Sequence, residues 1–440
     1  MILMSFLGIA NYTETNYRWN DCTFETKYSV EACIRFLNPE KVVIFVTQTA
    51  REKNLEALQE KLQQYKVSLS VVDVPIGKTE EELWQIFGLL NDQVPDGSEV
   101  AMDITTGQRS SPILGVLAAF FMKTGRNVTV LHMLYGAQSV ANQHDPEDTP
   151  LIDLTPMLSL LDWSVAAEHF SRYGNSADLA KIVRVYGNGV GRAAMGNQTE
   201  YARSRVYRSM GDQLNAVTDA LYLLRPYDAM KNISDLEGTI DAETQRSQPY
   251  SKVIPFSMLR EKIRNTYLPM AEKTPEDPAS LIRSLTKERL MMIWYLERDF
   301  WIQAISLAKE WLLSWVLVWI GETNMLDRSK REQINSLIGA ITKMEQNPEK
   351  PLSDQPDALS IELIRNQIAS HTDFKTFCDL WGEIADLRND IDHAAKRTDP
   401  KSAESLKGRI TVCVNRIREL PLPITTPGDS DENALDQSGR

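Results

Sequence analysis

An arginine and a histidine near the C-terminus have the types and spacing needed to cleave RNA without a metal ion. Arg388 and His393 have four residues between them, and Asn389 directly follows the arginine. A histidine transfers protons near neutral pH, and a guanidinium stabilises the charge that builds on phosphorane oxygens. The nucleophile would be the 2′-hydroxyl of the RNA itself. On an ideal helix the two residues lie roughly 140° apart, so the long arginine side chain must reach toward a common groove.

The same pattern has a simpler interpretation, because this spacing occurs by chance in many proteins. The pair could lie on a surface helix that forms an ion pair with Asp390 or Asp392. A second pair, Arg365 and His371, has one more intervening residue and ranks below the first. No closely spaced histidines or cysteines predict a metal site, and no G-x-S-x-G turn supports a serine triad.

Two loops near the N-terminus have the composition of a phosphate site. Gly8–Thr13 follows the first predicted strand, and Asp103–Ser111 follows the fourth. The second loop combines a glycine, several hydroxyls and Arg109 with the start of a helix, which suits an anionic ligand. An ordinary strand–helix connection capped by Ser110 or Ser111 explains the same residues equally well.

The elements that would position these loops alternate along the first 155 residues. Apolar, β-branched runs predict strands at Ile2–Leu7, Lys41–Thr47, Val67–Val74, Glu99–Thr105 and Asn127–Leu134. Helical patterns lie between them at Arg51–Tyr65, Thr79–Asn91 and Ser110–Lys123. This alternation predicts a doubly wound, Rossmann-like parallel sheet covered on both faces. Ala141–Pro150 is expected to be a polar turn, and Leu151–Leu154 is expected to return as an edge strand.

The pattern beyond Thr155 is almost entirely helical. Asp162 is a plausible cap for a helix at Trp163–Arg172, and the glycines of Gly187–Gly191 predict a helix break. Further helical segments are predicted at Met291–Ile320, Asp357–Ile368, Asp373–Ala395 and Ser402–Leu420. The predicted fold class is α/β plus all-α, with domains at residues 1–155, 156–280 and 281–420 and a disordered tail at 421–440.

The composition excludes several classes of protein. The 440 residues are 42% hydrophobic and 25% charged with a net charge of −12, so bulk basicity does not recruit nucleic acid. The longest apolar run, Trp311–Ile320, is half of what a bilayer requires. No signal peptide is evident, and four widely spaced cysteines suit a reducing compartment, so we expect a cytoplasmic protein. Neither membrane nor DNA is an expected partner.

The whole chain resembles the CARF–HEPN ribonucleases of type III CRISPR systems, the Csx/Csm-like ancillary effectors. Ser5–Gly8, with Tyr12 and Tyr17, resembles the opening strand and loop of that family. Asp103–Ser111 resembles its D-x-T-x-G-x-R-S ligand loop, and Arg388–His393 resembles the HEPN motif. Thr106 departs from the family, since many relatives have a histidine there.

The resemblance implies a CARF sensor domain, a helical connector and a C-terminal all-helical HEPN domain. The sensor would bind a cyclic oligoadenylate, with cyclic tetra-adenylate as the expected ring. The implied ligand contacts are Gly8, Asn11, Tyr12, Thr105, Thr106, Gly107, Arg109 and Ser110.

The HEPN domain would cleave single-stranded RNA at a composite site in a homodimer or a larger oligomer. Arg388, Asn389 and His393 of each subunit would form that site, without metal or cofactor, and leave 2′,3′-cyclic phosphate ends. A non-catalytic nucleotide-sensing regulator or scaffold is the alternative. Slow destruction of the ring by hydroxyls such as those of Thr105 or Thr106 is a third possibility.

Overall fold

The computed structural model describes residues 1–137, 148–193, 197–244, 254–346, 358–396 and 398–422. Within these ranges the chain forms two compact units, Met1–Ser164 and Val165–Arg440. None of the helices in these ranges combines the length and the apolarity that crossing a bilayer demands.

The first unit is built on one mixed sheet of eight strands. They are β1 (Ile2–Leu7), β2 (Thr15–Trp19), β3 (Cys22–Thr26), β4 (Lys41–Val46), β5 (Ser68–Asp73), β6 (Glu99–Asp103), β7 (Thr129–Gly136) and β8 (Asp148–Asp153). Their order is β3-β2-β8-β7-β6-β1-β4-β5. The pairs β2–β3 and β7–β8 are antiparallel, and the other neighbours are parallel. All five strands predicted from the sequence are present, within two residues at each end.

Helices cover both faces of the sheet. They are α1 (Ser29–Leu37), α2 (Gln48–Ala50), α3 (Glu56–Leu62), α4 (Glu80–Asp92) and α5 (Ser111–Gly125), with a π-helical turn at Arg51–Leu55 between α2 and α3. One apolar core includes Ile34 of α1 and Leu58 of α3, and a second includes Leu90 of α4 and Met122 of α5. This arrangement confirms the predicted Rossmann-like, doubly wound sheet.

The strand order places a topological switch point beside the two predicted ligand loops. β1 is flanked by β4 on one side and by β6 on the other. The parallel strands β4 and β5 extend the sheet beyond β1, and β7 extends it beyond β6, so the order of these strands reverses between β1 and β6. Such a switch point opens a crevice at the carboxyl ends of the two strands. Gly8 follows β1, and the loop that begins at Ile104 follows β6.

The predicted edge strand at Leu151–Leu154 was wrong in its position. The strand exists as β8, but it lies inside the sheet because β2 pairs with its outer side. The hairpin of β2 and β3 was not predicted and forms one end of the sheet. Most of the predicted polar turn at residues 141–150 lies outside the described residues.

The second region is helical, as predicted. Its helices are α6 (Thr155–Tyr173), which begins in the first unit, α7 (Ala177–Ala193), α8 (Gln198–Tyr222), α9 (Pro226–Thr244), α10 (Ile254–Tyr267), α11 (Leu281–Leu296), α12 (Trp301–Trp319), α13 (Arg328–Gln346), α14 (Ala358–His371), α15 (Phe374–Asp392) and α16 (Ala403–Glu419). Trp311 and Trp315 of α12 are fully buried, so α12 lies in the core of this unit. The fold class predicted from the sequence, α/β followed by all-α, is confirmed.

Several local predictions in this region were wrong. Asp162 lies inside α6 and caps nothing, because the helix already begins at Thr155. α7 continues through the predicted break at Gly187–Gly191. The segment Met291–Ile320 is divided between α11 and α12, where Asp299 adopts a left-handed conformation with φ of 62°. The division into connector and nuclease domains stays a prediction, and residues 423–440 lie outside the described residues.

Candidate functional site

The crevice beyond β1 and β6 is closed to side chains at two glycines. A Cβ on Gly8 would lie 3.2 Å from the Gly107 nitrogen. Gly107 has φ of +116°, and a Cβ there would lie 2.8 Å from the Cβ of Phe6. The two loops therefore approach each other through their backbones. Glycine is required at Gly107, and a Cβ on Gly8 would crowd the backbone of the second loop.

The floor of the crevice joins Tyr12 to both loops. The Gly8 amide donates to the Tyr12 hydroxyl at 2.8 Å, and the Thr106 hydroxyl donates to the Phe6 carbonyl. Burial raises the pKa of Tyr12, while its hydrogen bonds with the Gly8 amide and the Thr106 hydroxyl act against that rise. Tyr12 is therefore a neutral group at physiological pH. The structure thus brings Gly8, Tyr12, Thr106 and Gly107 together, as the sequence predicted for a common site.

Asp103, at the end of β6, fixes the start of the second loop from below. It is buried, and the hydroxyls of Ser5 and Ser29 donate to its Oδ2 at 2.8 and 2.7 Å. Its Oδ1 accepts from the Thr105 amide at 3.0 Å. The Thr105 hydroxyl accepts from the Gly136 amide at 2.8 Å, so it is engaged within the fold. Asp103 is a structural anchor here, since donors surround the carboxylate and satisfy it.

The remaining predicted ligand residues lie on the outer part of the loops. Asn11 and Arg109 are exposed, and Arg109 forms no ion pair with any residue that the structure describes. Ser110 occupies the cap position of α5, but its hydroxyl makes no cap hydrogen bond. Ser111 instead accepts from the Gln108 amide at 3.1 Å. Arg109 is thus an exposed cation two residues after Gly107.

Two residues that hold the first loop were missed by sequence reasoning. Asn54 donates from Nδ2 to the carbonyls of Gly8 and Ala10, at 2.9 and 3.1 Å. Lys53 donates from Nζ to the carbonyl of Ile9 at 2.7 Å. Both belong to the π-helical turn, a form that is frequent at functional sites. No sequence signal distinguishes such a turn from an ordinary helix.

The second candidate site lies at the end of α15. Arg388 directly precedes the last turn of α15, Asn389 is exposed beside it, and His393 is the C-cap residue, also exposed. Ala394 and Ala395 follow with φ of 49° and 60°. The chain therefore turns sharply after the histidine. It does so through left-handed conformations, which are costly for residues with a Cβ. The structure brings the predicted pair to one helix end, although no hydrogen bond joins the two side chains among the described residues.

The ionic partner of Arg388 is Glu310, not the aspartates considered from the sequence. A guanidinium nitrogen of Arg388 lies 3.7 Å from Oε1 of Glu310, and Oε2 of Glu310 lies 2.7 Å from Arg331. Arg331 also donates to the Ser314 hydroxyl and the Met325 carbonyl, at 3.0 and 3.2 Å. Nε of Arg388 is buried and has no acceptor within the described residues. A well-anchored arginine therefore orients Glu310, which in turn contacts Arg388 loosely.

Two more titratable groups surround this ion pair. Burial, and then the charge of Arg388, lowers the pKa of Lys309 to about 7, and its Nζ lies 3.0 Å above the ring centre of Trp381. Burial raises the pKa of Glu288 to about 8, against the attraction of Arg331. The pair Lys309 and Glu310 interrupts the otherwise uncharged sequence of α12, and that interruption is a signal that sequence reasoning could have used.

The lower-ranked pair, Arg365 and His371, is engaged in packing. The Arg365 guanidinium lies 5.0 Å from the ring centre of Phe374, and His371 stacks on Trp319 with ring centres 3.3 Å apart. Within the described ranges, no group of three histidine, cysteine or acidic residues is placed to hold a metal ion.

Comparison with known proteins gives two matches to family models. Residues 2–137 match the CARF domain of the CRISPR system endoribonuclease Csx1. Residues 159–266 match the second domain of the CRISPR-associated protein MJ1674. All the predicted ligand residues fall within the first match, and Arg388 and His393 fall outside both. The chain is therefore similar to CRISPR-associated proteins that contain a CARF domain.

One relative and one solved structure extend this comparison. The chain is 30% identical over 113 residues to the CRISPR-associated protein MJ1674 of Methanocaldococcus jannaschii, across 25% of this chain. The aligned part spans 18% of that relative's length. Csm6 of Enterococcus italicus, solved bound to cyclic hexa-2'-fluoro-hexa-dAMP, superposes with a TM-score of 0.45 at 11% identity, over 95% of this chain and 92% of that chain.

Proposed function

We propose that this protein is a metal-independent endoribonuclease of type III CRISPR defence that cleaves single-stranded RNA when a cyclic oligoadenylate binds its N-terminal domain. The match of residues 2–137 to the Csx1 CARF domain carries this proposal, because it contains the whole crevice. Cyclic tetra-adenylate is the activator that we test first. The protein would act in the cytoplasm.

The crevice suits a ring of phosphodiesters and adenosines. The close approach of Gly8 and Gly107 leaves backbone atoms at its surface, and Arg109, two residues further along the second loop, is an exposed cation. Backbone amides and a guanidinium are the donors that proteins use for phosphate oxygens. Thr106 stands where many relatives have a histidine, so the contact there would be a hydroxyl.

The end of α15 supplies what transesterification of RNA requires. The 2′-oxygen attacks the adjacent phosphorus, its proton passes to a base, and the bond to the 5′-oxygen breaks as that oxygen gains a proton. The products are a 2′,3′-cyclic phosphate and a 5′-hydroxyl. His393 would transfer protons, Arg388 would stabilise the phosphorane oxygens, and Asn389 would donate a hydrogen bond to the substrate.

An apolar stripe on α5 supports the proposed homodimer. Ile113, Leu117 and Phe121 follow one another at four-residue intervals and are 65%, 49% and 48% exposed. Trp84 of α4 is 65% exposed, and Phe87 lies between it and Phe121 in ring contact with both. Because α5 begins directly after the β6 loop, a second copy seated on this stripe would bring two such loops together. A symmetric ring suits a two-fold arrangement of that kind.

The proposal is tested by incubating a fluorescent single-stranded RNA with the full chain and EDTA, adding cyclic tri-, tetra- or hexa-adenylate separately. We expect cleavage with one ring only, and a loss of at least about 100-fold in His393→Ala and Arg388→Ala with ring binding intact. His371→Ala tests the lower-ranked pair and should still cleave.

The possible outcomes separate the parts of the proposal. Cleavage that is equal with and without rings would remove the sensor from the proposal and keep the nuclease. Ring binding without any cleavage would favour the regulator or scaffold. Loss of ring binding in Arg388→Ala or His393→Ala would contradict the assignment of two separate sites.

The homodimer is tested by the mass of the protein in solution, measured by light scattering after gel filtration. We expect a dimer for the wild type and a monomer for Leu117→Glu, since a carboxylate in an apolar interface is costly. Val185→Glu, at a position 63% exposed in the helical region, is the matched control and should stay dimeric. A dimer in Leu117→Glu would place the interface elsewhere.

A further inference from the structure

We propose that Asn54 and Lys53 are positioning residues of the activator site. By holding three successive carbonyls of the loop after β1, they present the amide N–H groups of Ile9, Ala10 and Asn11 to the phosphodiester oxygens of the cyclic oligoadenylate. This inference rests on the proposed function and names the part of the crevice that recognises the anion.

The hold on the loop consists of three hydrogen bonds from one helical turn. The Asn54 amide donates to the carbonyls of Gly8 and Ala10, at 2.9 and 3.1 Å. The Lys53 ammonium donates to the carbonyl of Ile9, between them, at 2.7 Å. Three consecutive carbonyls are thus directed toward the π-helical turn. No part of the sheet's own hydrogen bonding requires this, since the loop lies beyond the end of β1.

Peptide planarity fixes where the next three amides point. In a trans peptide the carbonyl of one residue and the N–H of the following residue point in opposite directions. The described residues contain no cis peptide bond. With the carbonyls of Gly8, Ile9 and Ala10 directed at the π-helical turn, the N–H groups of Ile9, Ala10 and Asn11 point away from it.

The three amides are free to bind a ligand. None of them donates to an acceptor within the part of the chain that the structure describes. The π-helical turn follows β4, which flanks β1 on one side, and the loop that contains Gly107 follows β6, on the other side. The amides therefore face the side of the crevice where the second loop and Arg109 lie. A run of free backbone amides is a recognised cradle for phosphate.

The π-helical turn is held at both ends by residues other than Lys53 and Asn54. Leu55, which follows Asn54, is buried in the core against α3 and the sheet, so it anchors the turn. Arg51, at the start of the turn, pairs with Asp73 of β5 at 2.7 Å. The π-helical turn is thus fixed at both ends, and Lys53 and Asn54 between them reach the loop.

The experiment measures binding of cyclic tetra-adenylate, and of the tri- and hexa-adenylate rings, to the full chain by calorimetry. We expect Asn54→Leu and Lys53→Met each to weaken binding about tenfold, with the maximal cleavage rate at saturating ring unchanged. Lys53→Arg keeps a donor and should restore binding. Lys61→Met, which removes an exposed lysine of α3, is the matched control and should bind like the wild type.

Because Asn54→Leu removes no charge, it separates positioning of the loop from simple attraction of the anionic ring. If Lys53 only attracted an anion through its charge, Lys53→Met would weaken binding and Asn54→Leu would not, which would overturn the inference. Equal affinity of all variants would overturn it as well, while leaving the proposed function intact. Hydrogen exchange adds a direct measure, because the ring should slow exchange of the amides of residues 9–11 in the wild type. Unchanged exchange in the bound protein would contradict the amide cradle.

Failure of the proposed function gives a different result. If none of the rings binds the wild type, the activator assignment falls, and the exchange measurement is repeated with inorganic pyrophosphate. Slowed exchange of residues 9–11 would then support an anion site without a ring ligand, and unchanged exchange would overturn the inference too.

Discussion

The two candidate sites are built from different parts of the polypeptide. The crevice beyond β1 and β6 is formed by backbone, with glycines in close approach and carbonyls held by Asn54 and Lys53. The end of α15 is formed by charged side chains, where Glu310 lies between Arg388 and Arg331. The first site depends on shape, and the second depends on ionisation.

This difference has a physical reason in each element. A strand end at a switch point offers free backbone donors, so glycine and planarity decide its geometry. A helix interior satisfies its own backbone, so only side chains remain to carry chemistry. Lys309 and Glu288, whose pKa values are displaced to about 7 and about 8, both lie in the helical region. We therefore expect substitutions that enlarge a side chain to damage the first site, and substitutions that remove a charge to damage the second.

The largest effect on the function of either site is expected from Gly107→Ala. The left-handed backbone and the contact of 2.8 Å with the Cβ of Phe6 together should lower the free energy of unfolding by about 3 kcal/mol. Ring affinity should fall about 100-fold, because the loop must move. Chemical unfolding and calorimetry measure the two quantities.

Gly97→Ala is the control that separates strain from clash. Gly97 has φ of +73°, and a Cβ there meets nothing within 4 Å. Gly97→Ala should lower the free energy of unfolding by about 1 kcal/mol and leave ring affinity unchanged. Equal ring affinity in both variants would show that the crevice does not depend on the approach of Gly107.

The strands could be predicted from the sequence because their runs are apolar on both faces, as buried parallel strands require. The hairpin at Thr15–Trp19 and Cys22–Thr26 was missed because its strands are short and its exposed positions are polar. Asn20 begins the two-residue turn between these strands and has φ of 52°. An asparagine between two short strands is a sequence signal for a hairpin, and that signal was available. The glycine run Gly187–Gly191 misled because tertiary packing overrides a weak local propensity.

The candidate sites could be predicted only in part. The two loops that contain Gly8, Tyr12, Thr106 and Gly107 were singled out because glycines and hydroxyls follow predicted strands, and the family resemblance named these four residues within them. Asn54 lies more than forty residues from the carbonyls that it holds, so no local pattern reveals it. The same applies to Arg331, which reaches Glu310 across 21 residues. Long-range pairs of this kind require the fold.

The next largest effect is expected at the ion pair of Arg388 and Glu310. Glu310→Gln keeps the shape of the side chain but removes the charge that Arg388 and Arg331 share. We expect cleavage at saturating ring to fall about tenfold with ring affinity unchanged, because the arginine loses its orientation. Single-turnover cleavage assays measure this.

Glu332→Gln is the matched control for charge in the same unit. Its carboxylate pairs with Arg328 at 2.7 Å, and both side chains are mostly exposed, so its loss should change little. If Glu310→Gln cleaves as fast as the wild type and as this control, Glu310 does not position the arginine. The contrast between a site of shape and a site of charge would then weaken.

The last expected effect is a dependence of stability on pH in the helical unit. Because the pKa of Glu288 is raised from 4.5 to about 8 in the folded protein, the folded state binds the extra proton between those values. The contribution of Glu288 to stability is therefore complete below about pH 4.5 and is lost as the pH rises through about 8. Glu288→Gln should match the wild type near pH 4 and exceed its stability at pH 9, by on the order of 4 kcal/mol.

Comparing the wild type with Glu288→Gln separates the effect of Glu288 on stability from that of Lys309. The lowered pKa of Lys309 acts with the opposite sign above about pH 7, because the unfolded chain then binds more protons than the folded one. Since both proteins contain Lys309, its contribution cancels in the difference between their thermal unfolding curves. A difference that stays flat from pH 4 to pH 9 would mean that Glu288 is ionised in the folded protein. The helical region would then resemble the sheet domain, with a geometry that ionisation does not disturb.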